Sequence, residues 1–525
     1  MMGKCIMIQG TGSSVGKSII AAGLCRVFRQ DGYRVAPFKS QNMALNSYIT
    51  RDGKEMGRAQ VVQAEAAGIE PSVEMNPILL KPTTDRKSQV IINGAVYGNM
   101  SAVEYHEYKP QLAEMVKATY RKLAAANDAV VIEGAGSPAE INLRDKDIVN
   151  MGMAEMADAP VILVGDIDKG GVFAALAGTM LLLREEERER VKGVIINKFR
   201  GDLAILKPGL RMLEDIIHVP VLGVLPYAAL NIDDEDSLTE RFDRTGREDG
   251  EGSGDDIDVA VVKLPHISNF SDFSALENLD GVKVRYIDQP SDMKTPDLIV
   301  LPGTKNTMED LAHLRKSGME EEIKKQNRKG AVVFGICGGY QMLGKTIQDP
   351  FRTESELLEL EGMGLLNAGT VFRQKKVTTQ VEGVLSGDWG LLKGLAGTGI
   401  TGYEIHMGAT EYGKGCIPYL TVGKAPGGGQ EYLDGVRNAE GNVFGTYIHG
   451  IFDNTAFTSG FLNNLREMRG KGGAKAFEYD YRAYKEQQYD KLANMIRENL
   501  DMEKIYEITG LQKEDSSHAD TLSPD

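Results

Sequence analysis

The chain has 525 residues, 42% of them hydrophobic, and a formal net charge of −15. Its length and apolar content suffice for two or three folded domains and exclude disorder for most of the chain. The acidic balance argues against binding to nucleic acid, whose backbone needs a basic face. Four cysteines without a C-x-x-C pair favour a reducing compartment over a disulfide framework or a zinc site. We expect a cytoplasmic protein, because we find no secretory signal and no apolar run of about 20 residues.

The first 230 residues alternate short apolar runs with helical patterns. A strand is predicted over KCIMIQG, followed by a helix from Lys17 to about Gln30. Further strands are predicted at YRVAPF, DAVVIEG, APVILVGD, VKGVIINK and VPVLGVLP, with helices over Glu104–Ala126 and Ala174–Arg190. Apolar strands separated by helices predict an α/β fold, with a parallel sheet that is covered on both faces.

A change of composition divides the chain near its middle. Residues 233–256 are charged, glycine-bearing and poor in large apolar side chains, as is typical of an interdomain linker. The α/β rhythm begins again at IDVAVVKLP and continues through VKVRYI, PDLIVLPG, GAVVFGIC and NVFGTYIHG. We predict a first domain over 1–232, a second over 257–455, and a C-terminal extension over 456–525, with a charged surface helix and a frayed end.

A glycine-rich loop follows the first strand and opens the first helix. Its members are Gly10, Thr11, Gly12, Ser13, Ser14, Val15, Gly16, Lys17 and Ser18. Glycines let backbone N–H groups approach phosphate oxygens, while Lys17 can reach the outer phosphates and Ser18 can ligate magnesium. Five residues, not the usual four, separate Gly10 from Gly16. In its strand-to-helix context, the loop predicts a nucleotide-binding site.

Polar residues end three later strands of the first domain. Glu133 ends DAVVIE, and Asp166 ends APVILVGD. At the carboxyl ends of parallel strands, carboxylates can hold the Mg²⁺ that bridges nucleotide phosphates, so we predict both as metal-site residues with Ser18. Asn197 follows VKGVII, where its amide could read a nucleobase edge.

The second domain carries a candidate nucleophile. Cys337 lies between the strand AVVFGI and a helix that begins at Gly338. A thiol on such a tight turn points outward, and the helix N-terminus lowers its pKa. The base should be a histidine, for which His449 after NVFGTYI is favoured and His406 in GYEIHMG is the alternative. Gly303, after PDLIVLP, could supply an N–H to an oxyanion together with Gly338.

These motifs together resemble one family over nearly the whole chain. GICGGYQ with a downstream YIHG is similar to triad-type glutamine amidotransferases, and GTGSSVGKS with VIEGAGSPAEINL is similar to dethiobiotin synthetase and its amide-forming relatives. In this order, with PFKSQNMALNS, GDIDKGGVFA, INKFRGD, LPGTKNT and GYEIHMG, they resemble the cobyric acid synthase family of cobalamin biosynthesis. The resemblance implies a P-loop-type parallel-sheet domain followed by a class I, flavodoxin-like glutamine amidotransferase domain.

The resemblance also implies a reaction. ATP and Mg²⁺ would drive amidation of the b, d, e and g carboxylates of adenosylcobyrinic acid a,c-diamide, with L-glutamine as nitrogen donor. Cys337 would form a thioester with glutamine, His449 would relay protons, and Gln341 would help to hold the glutamine. Triad amidotransferases usually carry a glutamate two residues after the histidine, where this chain has Ile451. Glu404 is therefore a candidate for the third member.

Alternative functions stay open at this point. The same chemistry could act on another carboxylate, as in the a,c-diamide synthase reaction or a cell-wall precursor amidation. A P-loop regulatory ATPase with an inactive glutaminase fold is the third reading. We expect a corrinoid partner, no nucleic acid and no membrane, and leave open whether the chain forms a homo-oligomer. Candidates for contact with an anionic substrate are Lys39, Lys81, Arg86 and Arg144.

Overall fold

The computed structural model describes residues 2–84, 87–228, 230–233, 255–424, 431–472, 475, 477 and 480–512. Most of the predicted linker and nearly all of the predicted frayed end therefore lie outside the described residues. Within these ranges, none of the helices combines the length and apolarity needed to span a bilayer.

Strands and helices alternate in the first part of the chain. The strands are β1 (Lys4–Gly10), β2 (Val35–Phe38), β3 (Gln41–Met43), β4 (Ser47–Ile49), β5 (Glu55–Gly57), β6 (Ile78–Thr84), β7 (Lys87–Ile92), β8 (Ala95–Ser101), β9 (Ala129–Glu133), β10 (Val161–Asp166), β11 (Val191–Phe199) and β12 (Val221–Pro226). The helices are α1 (Lys17–Gln30), α2 (Arg58–Ala67), α3 (Ala102–Tyr108), α4 (Ala113–Ala126), α5 (Met151–Ala157), α6 (Val172–Leu182), α7 (Glu185–Arg190) and α8 (Leu203–Ile217).

The second part continues in the same way. Its strands are β13 (Ile257–Val262), β14 (Val282–Ile287), β15 (Leu298–Leu301), β16 (Val332–Ile336), β17 (Thr346–Gln348), β18 (Glu359–Glu361), β19 (Ala368–Leu385), β20 (Gly399–Tyr412), β21 (Ile417–Lys424), β22 (Tyr432–Arg437) and β23 (Val443–Thr446). Its helices are α9 (Ser274–Glu277), α10 (Thr307–Ser317), α11 (Met319–Arg328), α12 (Gly338–Leu343), α13 (Thr455–Met468), α14 (Tyr481–Asn499) and α15 (Met502–Thr509).

The first domain is built on a six-stranded parallel sheet of order β12-β11-β10-β1-β9-β2. Both faces are covered, because Met7 of β1 packs in one apolar core while Ile6 and Ile8 pack in the other. This confirms the predicted parallel sheet and explains why its strands read as continuous apolar runs. The strands end at the edge where the glycine-rich loop begins.

Two predicted helices of this domain are each divided. In place of one helix over Glu104–Ala126, α3 ends at Tyr108 and α4 begins at Ala113, with Pro110 in the short 3-10 turn between them. Proline has no N–H to donate and disfavours a helical residue before it, which accounts for the break. The second predicted helix is likewise divided into α6 and α7.

Two small sheets are inserted between β2 and α3, and all their strand pairs are antiparallel except β3 with β6, which is parallel. A four-stranded sheet has the order β3-β6-β7-β8, and β4 pairs with β5 in a hairpin. The hairpin contacts the second domain, where the Tyr48 and Tyr403 rings meet edge to face with centroids 5.4 Å apart. The hydroxyl of Tyr403 also donates to the backbone carbonyl of Ser47 at 3.2 Å. This insertion therefore brings residues of the first domain to the second domain.

The second domain has a mixed sheet that begins as β14-β13-β15-β16-β23, all parallel. It continues through pairs that are antiparallel except for β17 with β19. Stacked and edge-to-face rings of Phe334, Phe444 and Phe461 fill its core. Phe461 belongs to α13, so this core continues past the predicted boundary at 455.

The C-terminal helices α14 and α15 return to the first domain. Leu492 and Ile496 of α14 pack in the same core as α1. Gly23 of α1 makes room for them, since a Cβ there would lie 2.7 Å from Ile496 Cγ1. Arg26 of α1 is paired with Asp490 at 2.8 Å. The charged periodicity predicted a surface helix, but the apolar face of α14 closes the core of the first domain.

Candidate active site

Cys337 occupies a strained turn between β16 and α12. Its backbone has φ 51° and ψ −109°, an uncommon conformation for a residue with a side chain, and its N–H donates to the Thr446 carbonyl at 2.8 Å. The first turn of α12 requires glycine after Cys337, because a Cβ on Gly339 would lie 2.0 Å from the Leu301 carbonyl oxygen. This is the elbow geometry that the sequence predicted around Cys337.

His449 and Cys337 line one small cavity. Nδ1 of His449 lies 2.7 Å from Oδ2 of Asp272, whose Oδ1 accepts the N–H of Gly450 at 2.9 Å. The side chains of His449 and Asp272 are 1% and 2% exposed. Nε2 of His449 has no hydrogen-bond partner among the described residues. The imidazole is thus held through one nitrogen and presents the other to the site.

The environment of His449 raises its pKa to about 10. Burial alone would lower this pKa, but the charge and hydrogen bond of Asp272 outweigh burial, and Cys337 adds a smaller contribution. At neutral pH the imidazole is therefore mostly protonated and can donate a proton beside the Cys337 sulfur. The arrangement can therefore supply a nucleophilic sulfur and a proton donor.

Asp272 replaces the residue that the sequence predicted as third member. The interpretation of Glu404 was wrong, because its carboxylate contacts the Tyr432 hydroxyl at 2.7 Å and His406 Nε2 at 3.5 Å, not His449. His406, the alternative base, lines the cavity, but its Nδ1 is 2.8 Å from the Gly408 carbonyl. Both ring nitrogens of His406 therefore have partners.

Sequence reasoning missed Asp272 because nothing local distinguishes it. It lies in a short turn, Phe270–Phe273, 177 residues before its histidine. No motif or spacing links the two positions, so only the fold brings the carboxylate to the imidazole.

The cavity beside Cys337 has a volume of about 30 Å³. Gln341 lines it with a fixed amide, which accepts from the Thr307 hydroxyl at 2.9 Å and donates to the Tyr447 hydroxyl at 3.3 Å. Gly338 also lines it. Gly303 packs against the histidine instead, since a Cβ there would lie 3.1 Å from His449 Cε1. This volume holds about one water molecule, so glutamine enters only if part of the lining moves.

The glycine-rich loop borders a much larger cavity, of about 1210 Å³. The loop residues that line it are Ser13, Ser14, Gly16, Lys17 and Ser18. Lys17 Nζ donates to the carbonyls of Gly12 at 2.8 Å and Gly136 at 3.1 Å. Gly16 has φ +100°, which favours glycine at this position. Gly10, Thr11, Gly12 and Val15 form the base of the loop outside the cavity lining.

Glu133 lies against the phosphate loop at the end of β9. Its fully buried carboxylate accepts from Ser18 Oγ at 2.8 Å, from Lys39 Nζ at 2.9 Å and from Gln63 Nε2 at 2.5 Å. A hydroxyl and one carboxylate beside a phosphate site fit Mg²⁺, which keeps several water ligands and binds few protein groups. Ser18 and Glu133 are therefore brought together as the sequence predicted.

Asp166 is not brought to this pair. Its Oδ2 lies 3.0 Å from Lys198 Nζ, and its Oδ1 accepts the N–H of Asp168 at 2.9 Å. Its strand lies on the other side of β1 from β9, and Asp166 extends two residues beyond the pairing of Val164 with Gly10. The structure gives Asp166 an ion pair with Lys198, and its predicted role at a metal site stays a prediction.

Asn197 hydrogen-bonds to the backbone of the glycine-rich loop. Its Nδ2 donates to the Val15 carbonyl at 2.9 Å, and a Cβ on Gly16 would lie 2.0 Å from that nitrogen. Asn197 lines the large cavity, but its amide nitrogen is occupied by the loop. Contact with a nucleobase edge stays a prediction.

The large cavity carries basic groups beyond the loop. They are Lys39, Lys87, Lys109, Arg144, Lys169 and Lys198. Of the candidates for an anionic substrate, Lys39 and Arg144 thus line it, whereas Lys81 lies beside Cys337 and Arg86 lies outside the described residues. The cavity reaches the second domain at Pro265 and His266.

Comparisons with known proteins agree with the division of the chain into two domains. A family model described as "CobB/CobQ-like glutamine amidotransferase domain" matches residues 258–457, and one described as "CobQ/CobB/MinD/ParA nucleotide binding domain" matches residues 6–238. Three curated relatives carry the name cobyric acid synthase. The protein from Thermoanaerobacter sp. (strain X514) is 55% identical over 96% of this chain and 98% of its own. Those from Clostridium botulinum (strain ATCC 19397 / Type A) and Clostridium tetani (strain Massachusetts / E88) are 56% and 57% identical over 97% and 96% of this chain, and each match covers 99% of the relative.

Proposed function

Because the chain belongs to the cobyric acid synthase family, we propose that it amidates the b, d, e and g carboxylates of adenosylcobyrinic acid a,c-diamide to give adenosylcobyric acid. The chain is an ATP-dependent ligase that takes its nitrogen from glutamine. The observation that carries the finer proposal is the identity of 55–57% with cobyric acid synthases along nearly the whole chain.

The glutaminase half would act through Cys337. Its thiolate attacks the side-chain carbonyl carbon of glutamine, and an Sγ–C bond forms. His449 gives a proton to the amide nitrogen, which leaves as ammonia when the C–N bond breaks. A water molecule, deprotonated by His449, then hydrolyses the thioester to glutamate and restores the thiol. Asp272 keeps the imidazole oriented through both proton transfers.

The nucleotide half would activate the acceptor. A substrate carboxylate oxygen attacks the γ-phosphorus of ATP, releasing ADP and leaving an acyl phosphate. Ammonia then attacks the acyl carbon, phosphate leaves, and an amide and a proton remain. Lys17 and the loop N–H groups would stabilise the transferring phosphoryl charge. When bound, Mg²⁺ would be held by Ser18 and Glu133 and would neutralise phosphate charge.

The large cavity supports a bulky anionic substrate. Its volume of about 1210 Å³ exceeds what a nucleotide alone needs. Its lysines and arginine outnumber the acidic side chains that also line it (Glu140, Asp147, Glu187, Asp233 and Glu277), an excess of positive charge that suits a molecule with several carboxylates. Its extension to residues of the second domain lies on the side from which ammonia must come. These features favour a corrinoid acid over a small carboxylate.

Mass spectrometry of the product tests the proposal. Adenosylcobyrinic acid a,c-diamide is incubated with the protein, MgATP and glutamine, and the variant Cys337→Ala is run in parallel with glutamine or with ammonium chloride. We expect four successive carboxyl-to-amide conversions, lost in the variant with glutamine and restored with ammonium. Glutamine hydrolysis without conversion of this corrinoid would overturn the substrate assignment and leave the amidotransferase intact.

A further inference from the structure

The cavity beside Cys337 is lined by charge that the thioester chemistry does not use. Besides the catalytic pair, its walls include Lys81, Lys305, Lys376 and Glu354. Cys337 and His449 act on the amide end of glutamine. The other end of the molecule carries an α-carboxylate and an α-ammonium group, for which no residue has been assigned.

Two of the three lysines share one carboxylate, that of Glu55, so each has an acidic partner while the group keeps a net positive charge. Glu55 of β5 pairs with Lys81 at 2.9 Å and with Lys376 at 2.6 Å. Lys81 has a further hydrogen bond to the Ser47 hydroxyl at 2.9 Å. Both ammonium groups thus already have protein partners at hydrogen-bond distance, which distinguishes them from Lys305.

Lys305 and Glu354 are different. Their closest approach is 3.9 Å, beyond hydrogen-bond distance, although their side chains are only 7% and 9% exposed. Oε2 of Glu354 has no hydrogen-bond partner among the described residues. The Glu354 carboxylate accepts a backbone hydrogen bond from Thr307, which offsets only part of its burial: burial raises the pKa of Glu354 and lowers the pKa of Lys305. Buried charges of this kind are costly unless a function requires them.

Both side chains are mounted on ordered backbone. Lys305 lies between β15 and α10, directly before Asn306, whose side chain accepts the N–H of Glu309 at the start of α10. The loop with Glu354 is ordered by the fully buried Asp349, whose carboxylate accepts the N–H groups of residues 353, 354 and 355 at 2.8, 2.8 and 3.2 Å. The pair is therefore preorganised although its two members do not hydrogen-bond to each other.

We propose that Lys305 binds the α-carboxylate of glutamine and that Glu354 binds its α-ammonium group. The Lys305 ammonium and the Glu354 carboxylate are 3.9 Å apart. They are opposite in sign to the α-carboxylate and α-ammonium groups of glutamine, which are bonded to one carbon and are therefore also close together. Glutamine replaces the loose Lys305–Glu354 contact with two charge-assisted pairs as the cavity opens to admit it. This inference rests on the proposed glutaminase function and identifies how that site selects its amide donor.

Truncated amides separate the two roles. Ammonia release is measured with L-glutamine, with glutaramic acid, which lacks the ammonium group, and with 4-aminobutanamide, which lacks the carboxylate. Loss of one charge-assisted hydrogen bond corresponds to about a 10- to 100-fold change. We expect Lys305→Met to raise KM for glutamine by this factor and to lose discrimination against 4-aminobutanamide. Glu354→Gln should instead lose discrimination against glutaramic acid.

Matched variants keep the result interpretable. Lys316→Met removes an exposed lysine from α10 and should leave all three amides ranked as in the wild type. Lys305→Arg retains the positive charge and should retain the preference for glutamine, even if Lys305→Met folds poorly. Amidation supported by ammonium chloride reports whether each variant is folded.

Two negative results have different meanings. If Lys305→Met and Glu354→Gln rank the three amides as the wild type does, the assignment of the α-groups is overturned and the glutaminase function stands. If the wild-type protein releases no ammonia from glutamine, the proposed function itself fails.

Discussion

The two candidate sites of this molecule differ in how far they are assembled. Around Cys337 the reacting groups are fixed by backbone strain and by Asp272, in a cavity of about 30 Å³. Around Lys17 the cavity is about 1210 Å³, and the loop residues bond to one another. The first site needs an opening motion and little rearrangement of its chemistry. The second is open but must exchange its internal bonds for bonds to phosphate.

This difference fits the two kinds of chemistry. Covalent catalysis needs a nucleophile and base in register before the substrate arrives. Phosphoryl transfer relies on charged groups that point toward the phosphates. In the structure, Lys17 bonds to backbone carbonyls and Glu133 pairs with Lys39. We therefore expect variants around Cys337 to lower activity by disturbing the orientation of the reacting groups. Variants around Lys17 should lower activity by removing charge that stabilises the phosphates.

The largest expected effect breaks the geometry of the closed site. Asp272→Asn removes the carboxylate that orients His449, and we expect glutamine-dependent kcat to fall by about 10³- to 10⁴-fold. The pKa of His449, about 10 in the folded protein, should fall toward its ordinary value of 6.5. Since imidazolium protonates the departing nitrogen, the alkaline limb of the pH profile should move to lower pH.

The control for this prediction is Glu404→Gln. Its carboxylate contacts Tyr432 and His406 and does not contact His449, so the loss should be far smaller. Steady-state glutamine hydrolysis from pH 6 to 10.5 measures both variants. Equal losses in the two would contradict the role assigned to Asp272.

The next effect removes charge from the open site. Lys17→Met should lower amidation by about 10²- to 10³-fold, whether glutamine or ammonium supplies nitrogen, because phosphoryl-transfer charge loses a partner. Coupled ADP release measures this loss. Lys122→Met, at a side chain 73% exposed, is the matched control. A loss confined to the glutamine-supported reaction would argue against a nucleotide role for the loop.

A smaller effect concerns the contact between the two domains. Glu55→Gln leaves the ammonium groups of Lys81 and Lys376 without their carboxylate, and we expect the free energy of unfolding to fall by about 3 kcal/mol at pH 7. Burial alone would raise the pKa of Glu55, but these lysines lower it to about 2. The stabilisation is thus present above the usual pKa of 4.5 and is lost as the pH falls toward 2.

Urea unfolding at pH 7 and pH 3 measures this difference. The wild type and Glu55→Gln should differ less at pH 3 than at pH 7, because acid protonates Glu55 as the chain unfolds. A difference that stays constant between the two pH values would exclude the ion pairs as its cause.

The smallest effect distinguishes two carboxylates at the open site. Glu133→Gln should raise the Mg²⁺ concentration for half-maximal amidation by about 10-fold or more, as expected for a metal-site carboxylate. Asp166→Asn should change it by less than about twofold, because Asp166 is paired with Lys198, whereas Glu133 accepts the hydroxyl of Ser18 in the phosphate loop. A magnesium titration with ammonium as donor makes the comparison. The reverse order would restore Asp166 as the metal residue.

The sequence predicted those features that have a local cause. The observed limits of β1 and α1 agree with the predicted ones. Both elements are determined by local signals, an apolar run and a glycine-rich turn in consecutive residues. The elbow at Cys337 was predictable for the same reason. Asp272 was not, since its partner is 177 residues away. Glu133 and Asp166 look alike as strand ends, and only the strand order separates them.

The strands outside the two parallel cores were also not predicted. Strands β3–β8 and β17–β22 are short, half-exposed or irregular, and they lack the continuous apolar runs of the parallel strands. Yet β5 and β6 supply Glu55 and Lys81 to the domain interface beside Cys337. The strands that the sequence did not predict thus supply contacts between the two domains.

The return of α14 onto α1 has a consequence for how the protein is made. Leu492 and Ile496 complete the core around Leu24, so the first domain lacks part of its apolar lining until the ribosome has translated nearly the entire chain. Such distant contacts slow folding and leave an early core exposed during synthesis. The first domain, although it emerges first, can complete this core only after α14 has been synthesised.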